Sequence, residues 1–395
     1  MKVLIVGAGI AGPAFAYWLN HHGLVPTILE QAPRLRTGGY IVDFWGAGFD
    51  IADRMGLLPA IIRKGYRIQE VRVVDRSGQR VAGFSADVFI KATHGRFVSL
   101  RRGDLAATIF EKIEGKVETI FGDSVARIDQ SEKAVHVTFE SGTARDFDLV
   151  VGADGLHSRV RELVFGPQSQ FEDYLGCNVA AFEAEGYQPR DESVYVMYTE
   201  VGQQVVRFAM RDNRTLFLFT FAGPAINAAA MNVAAQKELL RKRFGKSGWE
   251  CDAILKALDR NDDLYVDRVS QIRMDPQLGL WTRGRVSLIG DAASCVSLLA
   301  GEGSGLAIAA AYILAGELHR ARGDYALAFA QYQELFSQFV LQKQKAALRY
   351  AGTFTPKSKF ALFLRDRIMN LMTIPYIAHF AVGRDLVDKL TLPEY

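Results

Sequence analysis

Cysteine is scarce in this sequence, and the placement of the few cysteines excludes several classes of protein. Cys177, Cys251 and Cys295 are the only three in 395 residues, and no two of them form a CxxC pair. A zinc site built on CxxC pairs and a closely spaced redox pair are therefore excluded. Because so few cysteines fit a reducing compartment, we predict a cytoplasmic location.

Long hydrophobic runs and an excess of one charge are missing as well. The least polar stretch covers residues 305–316, well short of the ~18–20 residues that cross a bilayer, so no integral membrane span is expected. Lys and Arg number 47 against 44 Asp and Glu, without blocks of like charge, which disfavours a broad nucleic-acid-binding face. The seven histidines show no spacing typical of metal ligands, so we predict no metal site.

The chain does contain three short runs typical of strands buried on both faces. They cover residues 3–6, 148–151 and 285–289, and each leads into a glycine-containing turn. This pattern predicts one parallel sheet assembled from distant segments. Residues 178–222 instead alternate and are rich in aromatics, which predicts an antiparallel sheet that also includes residues 70–74. From Gly305 onward the pattern is helical, with an interruption at Thr355-Pro356.

A glycine motif follows the first predicted strand and opens the first predicted helix. In Gly7-x-Gly9-x-x-Gly12, Gly7 permits a tight turn and Gly9 lets the backbone approach a pyrophosphate. Gly12 lets the helix pack closely on the strand. The helix N-terminus offers N–H groups to an anion, so Ile10 and Ala11 are also expected to contact the cofactor.

An acidic residue supports this interpretation. Glu30 ends the second strand, 18 residues after Gly12, where a carboxylate accepts hydrogen bonds from a ribose diol. The acid also disfavours a 2′-phosphate at this site. The sequence therefore predicts a bound adenine dinucleotide. A compact NAD domain is not favoured, because the sheet returns only near residues 148 and 285.

Three ordered motifs resemble those of the FAD-dependent aromatic hydroxylases, the class A flavoprotein monooxygenases. Besides the glycine loop, residues 148–161 resemble the family's Asp-Gly motif, and residues 284–293 resemble its Gly-Asp motif, continued by the glycine-rich residues 300–307. Residues 100–105 match its Arg-x-x-Leu turn. Phrases such as Gly39-Tyr-Ile-Val-Asp43 are most similar to the tetracycline-inactivating branch, the tetracycline destructases.

The resemblance implies a chemistry and a set of cofactor residues. Bound FAD would be reduced by NAD(P)H, a transient co-substrate, and would react with molecular oxygen to a flavin C4a-hydroperoxide. That species would hydroxylate an aromatic, phenolic or polyketide-like small molecule. The residues that the resemblance places at FAD, besides the glycine loop and Glu30, are Arg36, Arg102, Asp154, Asp291, Gly301, Gly303 and Ser304.

The chain departs from the family between the Gly-Asp motif and the following helix. Ser294, Ser297 and Leu298 stand where the family has a histidine and prolines. Glu302 replaces a glutamine, and a carboxylate beside reduced flavin disfavours the flavin anion unless it is protonated or paired, with Arg102 as the candidate partner. These departures keep two alternatives open: a flavin oxidoreductase that inserts no oxygen, and a non-catalytic protein that binds FAD or a hydrophobic ligand.

The substrate side is less determined by the sequence. Phe217, Phe219 and Phe221 alternate on one face of a predicted strand, where they would either wall a small aromatic or polycyclic substrate or form core between sheet and helices. No general base can be assigned, and the oligomeric state stays undetermined.

The predicted fold is α/β, with a Rossmann-like FAD-binding domain, an antiparallel β-sheet substrate domain and a C-terminal helical segment. The predicted boundaries are residues 1–70, 98–176 and 278–350 for the FAD-binding domain, 71–97 and 177–277 for the substrate domain, and 351–395 for the helical segment.

Overall fold

The computed structural model describes residues 1–36, 38–278, 280–374 and 390–395. The strands are β1 (Lys2–Val6), β2 (Val25–Glu30), β3 (Ile41–Trp45), β4 (Glu70–Val74), β5 (Arg80–Ser85), β6 (Phe97–Arg101), β7 (Glu118–Phe121), β8 (Val125–Gln130), β9 (Val135–Phe139), β10 (Ala144–Phe147), β11 (Leu149–Gly152), β12 (Glu172–Glu185), β13 (Val194–Glu200), β14 (Gln203–Ala209), β15 (Arg214–Ala222), β16 (Leu264–Ile272), β17 (Thr282–Arg283) and β18 (Val286–Leu288). The helices are α1 (Ala11–His21), α2 (Gly46–Arg54), α3 (Leu58–Lys64), α4 (Asp87–Ala92), α5 (Arg102–Phe110), α6 (Arg159–Val164), α7 (Val233–Phe244), α8 (Cys251–Asp259), α9 (Asp291–Ser294), α10 (Gly303–Arg320), α11 (Tyr325–Phe354) and α12 (Lys359–Leu371).

The first sheet has the strand order β17-β18-β11-β1-β2-β7. The three apolar runs of the sequence become β1, β11 and β18, and they pair in parallel with one another, as predicted. Residues 3–5 of β1 are fully buried, because strands flank β1 on both edges, and α1 and a separate three-stranded sheet, β10-β9-β8, pack against it. The predicted α/β fold class is confirmed, and the carboxyl ends of these parallel strands meet at one edge of the sheet.

The second sheet has the order β16-β12-β15-β14-β13-β4-β5 and is antiparallel except where β13 runs parallel to β4. One of its faces packs against α7 and α8 and forms a separate apolar core. The other face turns toward the first sheet. Because side chains alternate along a strand, every second residue of β13, β14 and β15 points to that face.

The C-terminal helices lie in two places. Helix α10 packs against α1 and α11, whereas α12 packs against β5 of the second sheet. Helix α10 begins at Gly303, close to Gly305, where the sequence predicts the helical pattern to start, and α12 follows the predicted break at Thr355-Pro356. Asn370 of α12 accepts a hydrogen bond from the Gly83 backbone N–H of β5 at 3.1 Å, which joins the helix to the edge strand. The predicted helical segment also includes residues 375–389, which lie outside the described residues. No helix in the described ranges combines the length and the apolar character needed to cross a membrane.

Candidate functional site

One large cavity of about 930 Å³ lies between the carboxyl edge of the first sheet and the inner face of the second sheet. Almost all of the predicted cofactor residues border it: Gly7, Gly9, Ile10, Ala11, Glu30, Arg36, Arg102, Asp154, Asp291, Gly301, Gly303 and Ser304. The fold thus brings together residues that are up to 297 positions apart in the sequence. Gly12 lies just outside the cavity, in the first turn of α1.

The glycine loop has the shape of a cradle for a pyrophosphate. Gly7 has φ +108°, which favours glycine, and a Cβ at Gly12 would lie 1.9 Å from the carbonyl oxygen of Gly7. Both of these glycines are therefore required by the fold. At Gly9 the nearest atom to an added Cβ is Nη2 of Arg102, at 3.7 Å. Gly9 thus leaves space on the cavity side, which fits a pyrophosphate lying against this loop.

Glu30 lies beside the same loop at the end of β2. Its Oε2 accepts a hydrogen bond from the Ala8 N–H at 2.7 Å, and its Oε1 accepts one from the Ala32 N–H at 2.8 Å. These bonds hold the carboxylate at the cavity wall. The position suits a ribose diol next to the pyrophosphate, as the sequence predicts.

Asp291 and Arg102 both border the cavity. Asp291 begins α9 directly after the turn at Gly290, which has φ +61°. Burial raises the pKa of the Asp291 carboxyl, and the positive charges of Arg102 and Arg161 oppose that rise. The carboxylate of Asp291 therefore supplies a hydrogen-bond acceptor, and the guanidinium of Arg102 supplies a cation, at the place where a ribityl chain would meet a phosphate.

Substituting Asp291 should weaken FAD binding without unfolding the protein. In Asp291→Ala, the ribityl hydroxyls lose an acceptor, and we expect the binding free energy of FAD to drop by about 1–3 kcal/mol. Fluorescence titration of the apoprotein with FAD measures this change. An unaltered FAD affinity in a folded variant would contradict the assignment of Asp291.

The hydrogen bonds of the Asp154 carboxylate are made to other groups of the protein. Its Oδ1 accepts from the Ser158 hydroxyl at 2.5 Å, and its Oδ2 accepts from the N–H groups of Arg159 at 2.7 Å and Val160 at 3.0 Å. Both oxygens are thus engaged at the start of α6. Asp154 fixes the turn at the cavity edge, and its contact with FAD stays a prediction.

The carboxylate at position 302 is paired, but the expected partner was wrong. Its partner is Lys343 of α11, whose Nζ lies 2.8 Å from Glu302 Oε1. The side chains are 15% and 9% exposed, respectively. The sequence analysis named Arg102 as the candidate partner. It could not identify Lys343, because nothing in the sequence pattern of α11 indicates that this residue reaches back to the loop. The negative charge of Glu302 is therefore compensated before any flavin binds.

This pairing determines what Glu302→Gln should do. The substitution removes the carboxylate that faces the largely buried Lys343 ammonium, so we expect the free energy of unfolding to fall by about 3 kcal/mol, the lower end of the range for a buried pair because both side chains keep some exposure. When Glu302→Gln is combined with Lys343→Gln, both charges are removed, and reoxidation of the reduced flavin should change less than about two-fold, because the native pair is already neutral. Urea unfolding and stopped-flow reoxidation test the two expectations. Much faster reoxidation in the double variant, together with unchanged stability of Glu302→Gln, would show that the pair does not compensate the charge.

The structure corrects the prediction that Phe217, Phe219 and Phe221 wall a substrate pocket. They lie on the face of β15 that packs against α7 and α8, and their exposure is 0–3%. The Phe219 ring, for example, lies 4.9 Å from the Phe244 ring of α7. The alternative interpretation, core between sheet and helices, is the correct one. Leu216 and Leu218, one residue out of phase, border the cavity instead.

A polar group to which the sequence analysis assigns no role borders the cavity near the loop of residues 297–305. Asp43 of β3 lies opposite Ser99 of β6, and its Oδ1 accepts hydrogen bonds from the Ser99 hydroxyl and, at 3.5 Å, from the Tyr195 hydroxyl. Its Oδ2 accepts none from the part of the chain that the structure describes. Burial raises the pKa of Asp43, and the two hydroxyl donors oppose that rise. An aspartate in the otherwise apolar run Ile41–Trp45 was the available signal.

The cavity divides into two parts with different linings. The part beside the first sheet carries the polar and charged residues described above. The part beneath α12 is mainly apolar, and its lining includes Val71, Phe84, Phe89, Met197, Val206, Phe208, Leu216, Leu218, Leu364, Ile368, Met369 and Met372. Among the described residues, no group of His, Cys, Asp and Glu side chains could hold a metal ion.

Comparison with known proteins gives a consistent result. The FAD binding domain family matches residues 1–326. A flavin-dependent monooxygenase of Legionella longbeachae serogroup 1 (strain NSW150) is 32% identical over 397 residues, covering 100% of this chain and 98% of that protein. A flavin-dependent monooxygenase of Phoma sp is 30% identical over 433 residues, with 100% and 98% covered. The crystal structure of the tetracycline destructase Tet(51) superimposes with a TM-score of 0.83 at 31% identity, covering 100% of this chain and 99% of that one.

Proposed function

Because this chain belongs to the FAD binding domain family and is an FAD-dependent monooxygenase, we propose that it hydroxylates a phenolic or enolic carbon of a polycyclic small molecule, with NAD(P)H as the electron donor. The observation that carries this proposal is the continuous cavity, in which the predicted FAD contacts open directly into an apolar chamber. A substrate in that chamber would lie next to the flavin and away from bulk water.

The residues present fit FAD. The same cavity is bordered by the space at Gly9, the carboxylates of Glu30 and Asp291, and the guanidinium of Arg102. When bound, FAD would supply the redox chemistry by accepting a hydride from NAD(P)H and activating molecular oxygen. The protein's own contribution is to bind, to orient and to exclude water.

The substrate class is proposed from the chamber and from the relatives. An apolar chamber with few polar groups suits a flat ring system better than a charged metabolite. Tet(51) is named a tetracycline destructase, and tetracyclines carry several phenolic and enolic hydroxyls on fused rings. We therefore propose a tetracycline-like polyketide as the substrate.

Asp43 is the proposed proton acceptor. As OH⁺ would pass from the activated oxygen to the carbon next to a hydroxyl-bearing carbon, the O–O bond would break, the second oxygen atom would leave finally as water, and the substrate O–H bond would become acidic. Its electron pair then forms the new carbonyl, and the proton passes to Oδ2 of Asp43. Ser99 and Tyr195 hold Oδ1, and thereby orient the carboxylate toward the chamber.

The experiment is a measurement of NADPH oxidation by the FAD-loaded protein with and without tetracycline. We expect tetracycline to stimulate oxidation and to lose its characteristic absorbance in parallel. Equal rates with and without tetracycline would contradict the proposed substrate class. A panel of other phenols and enols would then show whether a different ring system is the substrate.

A further inference from the structure

One amide in the chamber wall has an unpaired oxygen. Gln204 is 1% exposed, and its Nε2 donates a hydrogen bond to Thr199 Oγ1 at 2.9 Å. Its Oε1 has no hydrogen-bond partner among the residues that the structure describes. Buried polar atoms are nearly always paired, because an unpaired one destabilises the fold. A leucine of similar size would avoid this penalty, so the glutamine calls for an explanation.

Gln204 lies on the chamber side of β14, at the end under α12. It borders the cavity together with Val206 and Phe208, which follow it at every second position of the strand. These two neighbours and the adjacent Met197 are apolar. Gln204 is therefore one of few polar groups on a largely apolar part of the wall, which is the pattern by which a binding site fixes the orientation of a ligand.

The surroundings of Gln204 are polar but electrically neutral. Arg365 of α12 donates a hydrogen bond from Nη1 to Thr199 Oγ1 at 3.0 Å. The guanidinium is already paired with Asp366, at 2.7 Å. Because this charge is compensated, the chamber end does not favour an anionic ligand group. It suits a neutral group such as a hydroxyl.

The spacing along the sheet sets the length of the ligand. Gln204 pairs with Thr199, and the Asp43 partner Tyr195 lies four residues earlier on the same strand β13. At roughly 3.3 Å per residue, the two positions are about 13 Å apart along the strand. A single aromatic ring cannot reach both ends, whereas a linear series of fused rings can.

We propose that Gln204 is a specificity-determining residue that binds a hydroxyl at the far end of a linear polycyclic substrate, while the other end lies at Asp43. The assignment of the reacting end rests on the proposed function. Oε1 has almost no accessible surface in the ligand-free protein, so the Gln204 side chain must turn slightly toward the chamber for the hydroxyl to donate to it. The hydroxyl then completes the hydrogen bonding of the amide. Ligands that lack a distal hydroxyl leave the amide unpaired and bind more weakly.

The test compares two ligands that differ only at the far end. Equilibrium dialysis measures binding of 2,6-dihydroxyanthraquinone, with a hydroxyl at each end, and of 2-hydroxyanthraquinone, with one, to the oxidised, FAD-loaded protein. We expect the first ligand to bind about ten-fold more tightly, the usual size of one good hydrogen bond. In Gln204→Leu this preference should fall to less than two-fold. Gln203→Leu is the matched control, because Gln203 points away from the chamber to Glu200 and Ser247.

Stability separates ligand binding from a structural role. Gln204→Leu removes the unpaired oxygen along with the bond to Thr199, so we expect the melting temperature of the ligand-free protein to stay within about 3 °C of the native value. A much larger decrease would show that Gln204 is needed for the fold. Equal binding of the two anthraquinones by the native protein, binding of neither, or a preference that survives in Gln204→Leu would each overturn the proposal.

These binding measurements do not depend on turnover. If tetracycline fails to stimulate NADPH oxidation while the anthraquinone preference is present and depends on Gln204, the proposed reaction is wrong and the inference about Gln204 stands. If turnover occurs and the preference is missing, the inference about Gln204 is wrong and the proposed reaction stands.

Discussion

Gly9→Val should abolish FAD binding while the protein remains folded. A Cβ at position 9 meets no protein atom closer than 3.7 Å, so the ligand-free fold tolerates it. The branched side chain would occupy the space on the cavity side where the pyrophosphate approaches the backbone. We expect FAD affinity to fall by at least about 100-fold, since this overlap cannot be relieved without moving the loop. The variant should be purified colourless, with a native circular dichroism spectrum.

Two further substitutions make this experiment specific. Gly9→Ala introduces only the Cβ and should give an intermediate loss of affinity. Gly12→Val should instead prevent correct folding, because its Cβ would lie 1.9 Å from the Gly7 carbonyl oxygen. Full retention of flavin by Gly9→Val would show that the pyrophosphate does not lie against this loop.

Asp43→Asn should reduce kcat strongly and leave FAD bound. The amide still accepts a hydrogen bond, so substrate binding should change little, but it cannot take up a proton. Removing a general base typically costs about 10²–10⁴-fold in rate. Steady-state kinetics with tetracycline would give this value. Asp252→Asn, an exposed change on α8 behind the second sheet, serves as the matched control and should leave the rate unaltered.

The pH dependence gives a second measurement of the same residue. Asp43 must be ionised to act as a base, so kcat should fall as the pH is lowered through its pKa. Because burial raises that pKa, the decrease should begin above the ordinary aspartate range. The groups that face Asp43 are the hydroxyls of Ser99 and Tyr195 and, across a small cavity, the Glu302–Lys343 pair.

In Asp43→Asn the residual rate should be flat over the same pH interval. Tyr195→Phe should lower the rate less, because Ser99 continues to hold the carboxylate. If kcat of Asp43→Asn still falls at low pH as it does in the native protein, another group is responsible for the titration. Asp43 would then have no place in the proposed mechanism.

The fold was largely predictable because its signals are local. The apolar runs that become β1, β11 and β18 are each followed by glycine turns, and that pattern indicates buried parallel strands without any knowledge of the partner. The parallel pairing of β4 with β13 was not predictable, because alternation reveals a half-buried strand but not the direction of its neighbour.

The site was predictable only where a motif carries the chemistry. The glycine loop, Glu30 and Asp291 meet at one cavity because each follows a strand of the same sheet. The Phe217 series was misplaced because alternation defines two faces and does not say which one meets the cavity. Lys343 is separated from Glu302 by the whole of α10, and only the packing of α11 reveals that these two residues pair.

Oxygen labelling tests the central claim most directly. The FAD-loaded protein is incubated with NADPH and tetracycline, or with the most stimulating compound of the phenol and enol panel, under ¹⁸O₂, and the product is examined by mass spectrometry. We predict a product that carries a single labelled oxygen atom, formed in proportion to the NADPH consumed. NADPH consumption that yields only labelled hydrogen peroxide, with the organic compound unchanged or carrying only oxygen from water, would contradict the account.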